Sequence, residues 1–317
     1  MRRQIVASAL SWMLAASPGF AADSASATAA SAPAGPKLGG YVQARETFQD
    51  GPGLTGTINR ARVFIQGGVK PAFTYRVAVE FAAPSGTSAS PSLRDAYIRW
   101  SHEWFATTGG QCKTPFSREF LTSLADLEVA DRSFVVDSLA TKRDIGVMAE
   151  GTNQWGTLSL GVFNGEGQNV VVNRDSTQLV VGRAVFRPVA PISIGGDIAL
   201  TGDNRRRMGA EANVEYRGAF LRGEYIADRL DGRERDDFGW YLLGGYRIFP
   251  WLQAIARDED FERPTSGPAR RISRVTGGLN FDLPGGQTRF IADYEGTTTG
   301  AARTRTDYWI AQLQVKF

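Results

Sequence analysis

A run of ionisable side chains lies between Gln111 and Asp144, the longest interval of the chain without strict alternation of apolar and polar residues. Within it, five basic residues are mixed with five acidic ones: Lys113, Arg118, Arg132, Lys142 and Arg143, and Glu119, Asp126, Glu128, Asp131 and Asp137. Cationic side chains in a narrow passage attract anions and replace part of their hydration shell. Connections longer than roughly 12–15 residues are usually functional. We predict that this segment folds into the mouth of a membrane barrel and that its basic residues form an anion-binding constriction.

Residues for other kinds of chemistry are few. The sequence has one histidine and one cysteine, His102 and Cys112, so neither a Ser-His-Asp set nor a disulfide or cysteine-based metal centre is expected. Cys112 is interpreted as a small, partly buried thiol. The 36 basic and 33 acidic residues nearly balance, which argues against nucleic-acid binding. We therefore predict no enzyme, no cofactor and no metal.

Alternating strands surround the segment and must position it. In Phe73–Phe81, aromatic residues and valines occupy one face, while Arg76 and Glu80 occupy the other. A lone Arg facing lipid at the bilayer midplane costs roughly 2–4 kcal/mol, so the charged face must line the lumen if this strand spans a membrane. Our count gives about 16 such segments, each near the roughly 9–11 residues that a tilted membrane strand needs.

The connections between these segments alternate between short and long. This alternation predicts tight periplasmic turns and longer external loops in an antiparallel up-and-down transmembrane barrel. The segment from Gln111 to Asp144 then becomes the third external loop. A soluble sandwich, the alternative for any single strand, gives no reason for this parity.

The two ends of the chain are consistent with export. Residues 1–22 combine Arg2 and Arg3, a short apolar core and a small-residue cleavage region, so we predict a signal peptide cleaved after Ala21 or Ala22. Residues 23–37 form an Ala/Ser/Pro-rich tract that we interpret as a disordered leader, and residues 38–317 as the barrel. The last strand alternates and ends at Phe317, like the assembly signal of bacterial outer-membrane barrels.

Several stretches together resemble the phosphate-selective porins O and P: NRARVFIQGGV from Asn59, LRDAYIRW from Leu93, GGQCKTPFSREFLTS from Gly109, VADRSFVVDSLATKRDIGVMAEG from Val129, GVFNGEGQN from Gly161 and GRAVFRP from Gly182. The resemblance implies a 16-stranded, trimeric outer-membrane pore. It also implies that small anions such as phosphate pass basic side chains on the barrel wall and the infolded loop. Outer-membrane lipid and lipopolysaccharide would surround such a barrel.

The charges predicted on the lumen wall are mixed. The strand pattern places eight arginines there, opposite carboxylates that include Glu80, Asp95, Glu150 and Glu211. These arginines are Arg60, Arg62, Arg76, Arg99, Arg183, Arg187, Arg222 and Arg274. Because the sign of the ring charge sets ion preference, the mixture leaves three functions open. These are an anion-selective porin, a weakly selective general porin, and a non-conducting plugged barrel that serves as an adhesin or anchor.

Overall fold

Sixteen β-strands make up most of the protein in the computed structural model, which describes residues 35–317 except 71, 83–89, 203, 233–235, 264–269 and 301–302. The predicted signal peptide and nearly all of the predicted leader lie outside the described residues. The strands are β1 Lys37–Gln49, β2 Gly53–Lys70, β3 Phe73–Glu80, β4 Ser92–His102, β5 Phe105–Lys113, β6 Arg143–Asn153, β7 Gly156–Phe163, β8 Leu179–Val189, β9 Ile192–Thr201, β10 Arg205–Tyr216, β11 Ala219–Leu230, β12 Asp237–Phe249, β13 Leu252–Arg263, β14 Arg270–Asp282, β15 Thr288–Thr299 and β16 Thr304–Lys316.

The strands form one closed barrel in which each strand pairs with its sequence neighbours. Antiparallel pairing of β1 with β16, from Tyr41 opposite Lys316 to Gln49 opposite Tyr308, closes the sheet. The predicted up-and-down barrel of about 16 strands is therefore confirmed. None of the helices in the described part of the chain is long and apolar enough to cross a membrane.

Several strands extend further at their predicted external ends than the alternation indicates, which predicts Thr57–Gln66 for β2 and Thr288–Tyr294 for β15. β2 begins at Gly53 and β15 ends at Thr299, because pairing with neighbouring strands continues past the stretches of clear alternation. These extensions shorten external connections that we expected to be long, such as the one between β1 and β2. As a result, the connection between β14 and β15 is longer than the external one between β15 and β16, so the predicted length parity is wrong at that point.

Apolar and polar residues separate onto opposite faces of the wall. On β3, Val77 is 45% exposed and Glu80 only 1% exposed, which agrees with the predicted inward direction of the charged face. On β16, Trp309 and Leu313 point outward, while Gln312 and Gln314 are buried inside. The exposed apolar side chains provide the surface that lipid requires.

The inward face of β13 is mixed, with Arg257 and Glu259 between Ile255 and Phe261, all of them buried. Apolar side chains on a lumen wall are unexpected when the lumen contains only water. Here they are covered by protein, because Phe134 from the β5–β6 connection packs edge-on against Phe261 with ring centroids 5.3 Å apart.

That connection, Thr114–Lys142, is called the inner segment below. It contains two short helices, α1 Arg118–Leu121 and α2 Phe134–Leu139, each with a serine at its N-cap. Ser117 accepts a hydrogen bond from Phe120 N and has a positive φ of 64°, which is uncommon for a residue with a Cβ. Its backbone N–H donates to Asp197 of β9 at 3.2 Å, so the barrel wall holds this turn in place.

The inner segment lies inside the barrel and reaches strands on its far side. Glu119 N donates to Glu224 of β11 at 2.6 Å, and Phe134 N donates to Glu259 at 2.6 Å. Val135, Val136 and Leu139 of α2 are fully buried in a cluster that includes side chains of β11, β12 and β13. Apolar packing and hydrogen bonds to inward-facing carboxylates therefore hold the segment against one side of the lumen.

Candidate functional site

The other side of the lumen contains a cavity of about 290 Å³ between the inner segment and the wall from β3 to β10. It is lined by Arg76, Asp95, Tyr97, Arg99, Thr108, Cys112, Lys113, Pro115, Arg118, Leu121, Thr122, Met148, Glu150, Thr157, Ser159, Arg183, Val185, Arg187, Ser193 and Glu211. Most of these positions alternate along their strands, because residues two apart in a strand share a face.

Basic side chains outnumber acidic ones in this lining. The six basic residues are Arg76, Arg99, Lys113, Arg118, Arg183 and Arg187, and the three acidic residues are Asp95, Glu150 and Glu211. The lining therefore carries a formal net charge of +3 from these side chains. In a cavity with low-dielectric walls, such an excess raises the local concentration of anions.

Two of the lining arginines are closely neutralised by carboxylates. Arg99 Nη2 lies 2.9 Å from Glu150 Oε1, and Arg183 Nη2 lies 2.5 Å from Glu211 Oε1. Arg183 Nε also lies 3.2 Å from Asp197 Oδ1. Charge-assisted pairs of this kind fix side-chain geometry, so these arginines are held rigidly and much of their field is cancelled.

Arg118 and Arg187 are bound differently. In the part of the chain that the structure describes, the Arg118 guanidinium has no hydrogen bond or ion-pair partner, although it lines the cavity. Arg187 donates to Thr157 Oγ1 at 3.1 and 3.2 Å, and no described carboxylate pairs with it. These two guanidinium groups therefore offer an anion the least compensated positive charge in the cavity.

Lys113 contributes both to the cavity and to the position of α1. Its Nζ donates to the carbonyl oxygens of Leu121 at 2.7 Å and Thr122 at 3.3 Å. These carbonyls lie at the C-terminal end of α1, where a cation is favoured.

The other three basic residues predicted in the constriction lie outside the cavity lining. Arg132 is buried and donates to the carbonyls of Glu119, Phe120 and Thr122 at 3.1–3.3 Å, and burial lowers its pKa to about 10. It holds the inner segment together. Lys142 is exposed at the end of that segment.

Arg143 is also buried, and its Nε lies 2.7 Å from Asp95 Oδ1. Arg76 Nε lies 3.7 Å from the other oxygen of the same carboxylate. Because Arg143 takes the close contacts, Asp95 compensates Arg76 only at longer range.

Six of the arginines predicted on the wall divide into two groups. Arg76, Arg99, Arg183 and Arg187 line the cavity. Arg62 is buried on β2, where its Nη2 lies 3.0 Å from Glu80 Oε2. Arg60 lies beside a shift in the β1–β2 register and donates to Asn59, so neither it nor Arg62 reaches the lining.

Sequence reasoning missed the uncharged lining residues. Tyr97 lies two residues from Arg99, Met148 two residues from Glu150, and Val185 lies between Arg183 and Arg187. The same alternation that identified the charged residues places these side chains on the inward face. Searching only for charge left them out.

The geometry of the described residues provides no metal centre, since no group of three or more His, Cys, Asp or Glu side chains among them could hold a metal ion. Cys112 is a buried free thiol that forms part of the cavity wall.

A comparison with family models matches residues 42–197 to the phosphate-selective porin O and P family. The match covers just under half of the chain, from β1 to β9. A search of curated proteins finds no significant match. The family match and the closed barrel support an outer-membrane porin and point to a channel rather than an enzyme.

Solved porin structures share this fold at low sequence identity. The trimer form of OmpT from Vibrio cholerae has a TM-score of 0.65 at 11% identity, covering 90% of this chain and 100% of that one. The outer membrane channel DcaP of Acinetobacter baumannii has a TM-score of 0.69 at 10% identity, covering 90% and 98%. An anion-selective porin from Comamonas acidovorans has a TM-score of 0.67 at 11% identity, covering 89% and 99%.

Proposed function

We propose that this porin is a passive diffusion pore for small hydrophilic anions, inorganic phosphate among them. The excess of basic side chains around the cavity carries the proposal, and within it Arg118 and Arg187 matter most because no described carboxylate pairs with them. The matched family, described as phosphate-selective, and an anion-selective structural neighbour support it.

The mechanism is electrostatic. Arg183 and Arg187 both line the cavity from β8, and four residues along a strand span about 13 Å. An anion that enters beside the inner segment meets Arg118 and then has successive guanidinium groups within reach along the wall. Each binding step replaces part of the hydration shell, while competing positive groups nearby keep any one site weak enough to release the ion.

A weakly selective general porin is the second candidate. The close pairs of Arg99 with Glu150 and of Arg183 with Glu211 favour it, because paired charges present little net field to a passing ion. If the two uncompensated arginines dominate the field in the cavity, the pore is anion-selective. If the paired charges dominate, it is weakly selective.

The pore is placed in the outer membrane as a homotrimer. The predicted signal peptide in residues 1–22 delivers the chain to the outer membrane, where exposed outward side chains such as Trp309 and Leu313 contact lipid and lipopolysaccharide. A homotrimer is supported by the porin fold, since one of the neighbours is described as a trimer form.

Planar-bilayer recording of the purified protein tests the function. We expect discrete conductance steps, a reversal potential in a KCl gradient that indicates anion preference, and block of the chloride current by added phosphate. Steps with weak selectivity and no phosphate block would favour the general porin. A folded barrel, identified by its heat-modifiable gel mobility, that gives no conductance would favour the plugged barrel and overturn both pore functions.

A further inference from the structure

Part of the cavity wall is apolar, although the cavity lies in the lumen of a porin. Leu121 of the inner segment, Tyr97 of β4, Met148 of β6 and Val185 of β8 are part of the lining. Tyr97 and Met148 pack against the hydrophobic cluster that includes apolar side chains of the inner segment. We call these four side chains the apolar wall.

The apolar wall lies directly beside the basic residues. Tyr97 and Arg99 are successive inward positions on β4, and Val185 stands between Arg183 and Arg187 on β8. Successive inward positions are about 7 Å apart along a strand. A molecule the size of one aromatic ring with an acidic head can therefore contact both kinds of surface.

Small inorganic anions gain nothing from such a wall. Their strongly held water must be replaced by donors or cations, and an apolar surface supplies neither. An organic anion with an apolar body does gain from this wall. Binding is favoured because the apolar body leaves water when it lies against Tyr97 or Met148.

The number of uncompensated basic side chains also limits the negative charge of a ligand that the cavity can bind. Arg99 and Arg183 are paired with carboxylates, and Lys113 donates to two carbonyls. Arg76 donates to Gln66 Oε1 at 2.5 Å and lies 3.7 Å from Asp95, so Arg118 and Arg187 remain for the ligand. Two uncompensated guanidinium groups are enough to neutralise one acidic head.

We propose that the preferred solutes of this pore are organic anions that carry an apolar or aromatic body, with the acidic group on the cavity arginines and the body on the apolar wall. This inference rests on the proposed function, since it assigns a substrate class to the same cavity.

Half-blocking concentrations of the chloride current provide the test, with phenylphosphonate and methylphosphonate as probes because they share one acidic head. We expect phenylphosphonate to block at about tenfold lower concentration, the effect of partly burying one ring. Met148→Gln, which keeps side-chain length, should bring the two concentrations close together. Leu121→Asn should act in the same direction if the first variant fails to fold. Met208→Gln is the matched control, because Met208 is 53% exposed on the outward face.

The outcomes separate this inference from the function on which it rests. Equal blocking by the two phosphonates in a pore that remains anion-selective would overturn the substrate class and leave the proposed function standing. An unchanged ratio in folded Met148→Gln and Leu121→Asn variants would overturn the role of the apolar wall. A pore without anion preference in KCl would remove the proposed function and this inference with it.

Discussion

Arg45 on the first strand binds Asp131 of the inner segment, 86 residues away, through Nη1–Oδ2 and Nη2–Oδ1 distances of 2.6 and 3.0 Å. The same guanidinium donates to the carbonyl of Ala130 at 2.9 Å. On the adjoining last strand, Gln314 donates to the carbonyl of Ala125 at 2.9 Å, and Lys316 pairs with Asp126. The inner segment is therefore tied to both strands at which the barrel closes.

Removing this contact should loosen the segment. We expect Arg45→Gln to lower the free energy of unfolding by about 2 kcal/mol, the range for hydrogen bonds to charged groups, and to increase current noise. Thermal unfolding in detergent and single-channel recording measure the two effects. Arg206→Gln is a control, because Arg206 and its partner Asp231 are both half exposed and such surface pairs contribute little. Equal effects of both substitutions would contradict the role of Arg45.

The same contact should weaken in acid. Burial alone would raise the pKa of Asp131, but the charge and hydrogen bonds of Arg45 outweigh it, so the pKa is lower than usual. A lowered carboxyl pKa contributes stability that is present above the unfolded pKa of about 3.9 and is lost as pH falls through the folded value. We expect Asp131→Asn to flatten the fall in thermal stability measured between neutral pH and pH 3. An unchanged fall would exclude Asp131 as a contributor.

Glu119 should have the opposite effect on the pH dependence of stability, which it lowers as pH rises. Its pKa is raised to about 8, first by burial and in addition by Glu224, against the partial compensation of Arg257 and the Ser133 N–H. A raised carboxyl pKa contributes stability that is present below the unfolded value of about 4.3 and is lost as pH rises through the folded value.

Thermal unfolding between pH 5 and pH 9 tests this titration. We expect the protein to lose stability across this range and Glu119→Gln to lose less, because glutamine carries no charge to desolvate. Glu103→Gln, at an exposed position between β4 and β5, controls for the loss of a carboxylate. A parallel pH dependence in the parent and the Glu119→Gln protein would contradict the prediction.

Arg118 should control ion preference. Arg118→Glu lowers the formal charge of the cavity lining from +3 to +1, so the reversal potential in a KCl gradient should move towards cation preference, and more so at low salt because of screening. Lys142→Glu makes the same change of charge at an exposed position outside the lining and should have a much smaller effect. Identical shifts in both variants would place the selectivity filter elsewhere.

Glu211→Gln should strengthen anion preference. The substitution leaves an amide oxygen near Arg183 but removes the charge that lies 2.5 Å from it, which raises the net charge of the lining by one. We expect lower half-blocking concentrations for phosphate and a more anion-selective reversal potential. Glu215→Gln, on the same strand but outside the lining, is the matched control. A shift towards cations in Glu211→Gln would show that Arg183 does not face the permeating ion.

The sequence by itself determined the barrel. Strand number, strand order and the inward direction of residues such as Arg76 and Glu80 follow from period-two alternation, which is a local property imposed by lipid on one side and water on the other. Alternation alone assigns no face to the strand around Arg257, because apolar residues such as Ile255 and Ala256 lie on both of its faces. The inner segment explains the apolar residues on the inward face, since it covers them.

Tertiary structure decided which basic residues the cavity exposes. The sequence predicted the same constriction role for Arg118 and Arg132. In the structure Arg118 lines the cavity, whereas Arg132 donates to three carbonyls of the inner segment. Asp95 likewise pairs with Arg143, and Glu211 pairs with Arg183, in each case from another strand. These choices depend on contacts between residues far apart in the chain, and the free energy of each pair depends on the burial that only the assembled barrel creates.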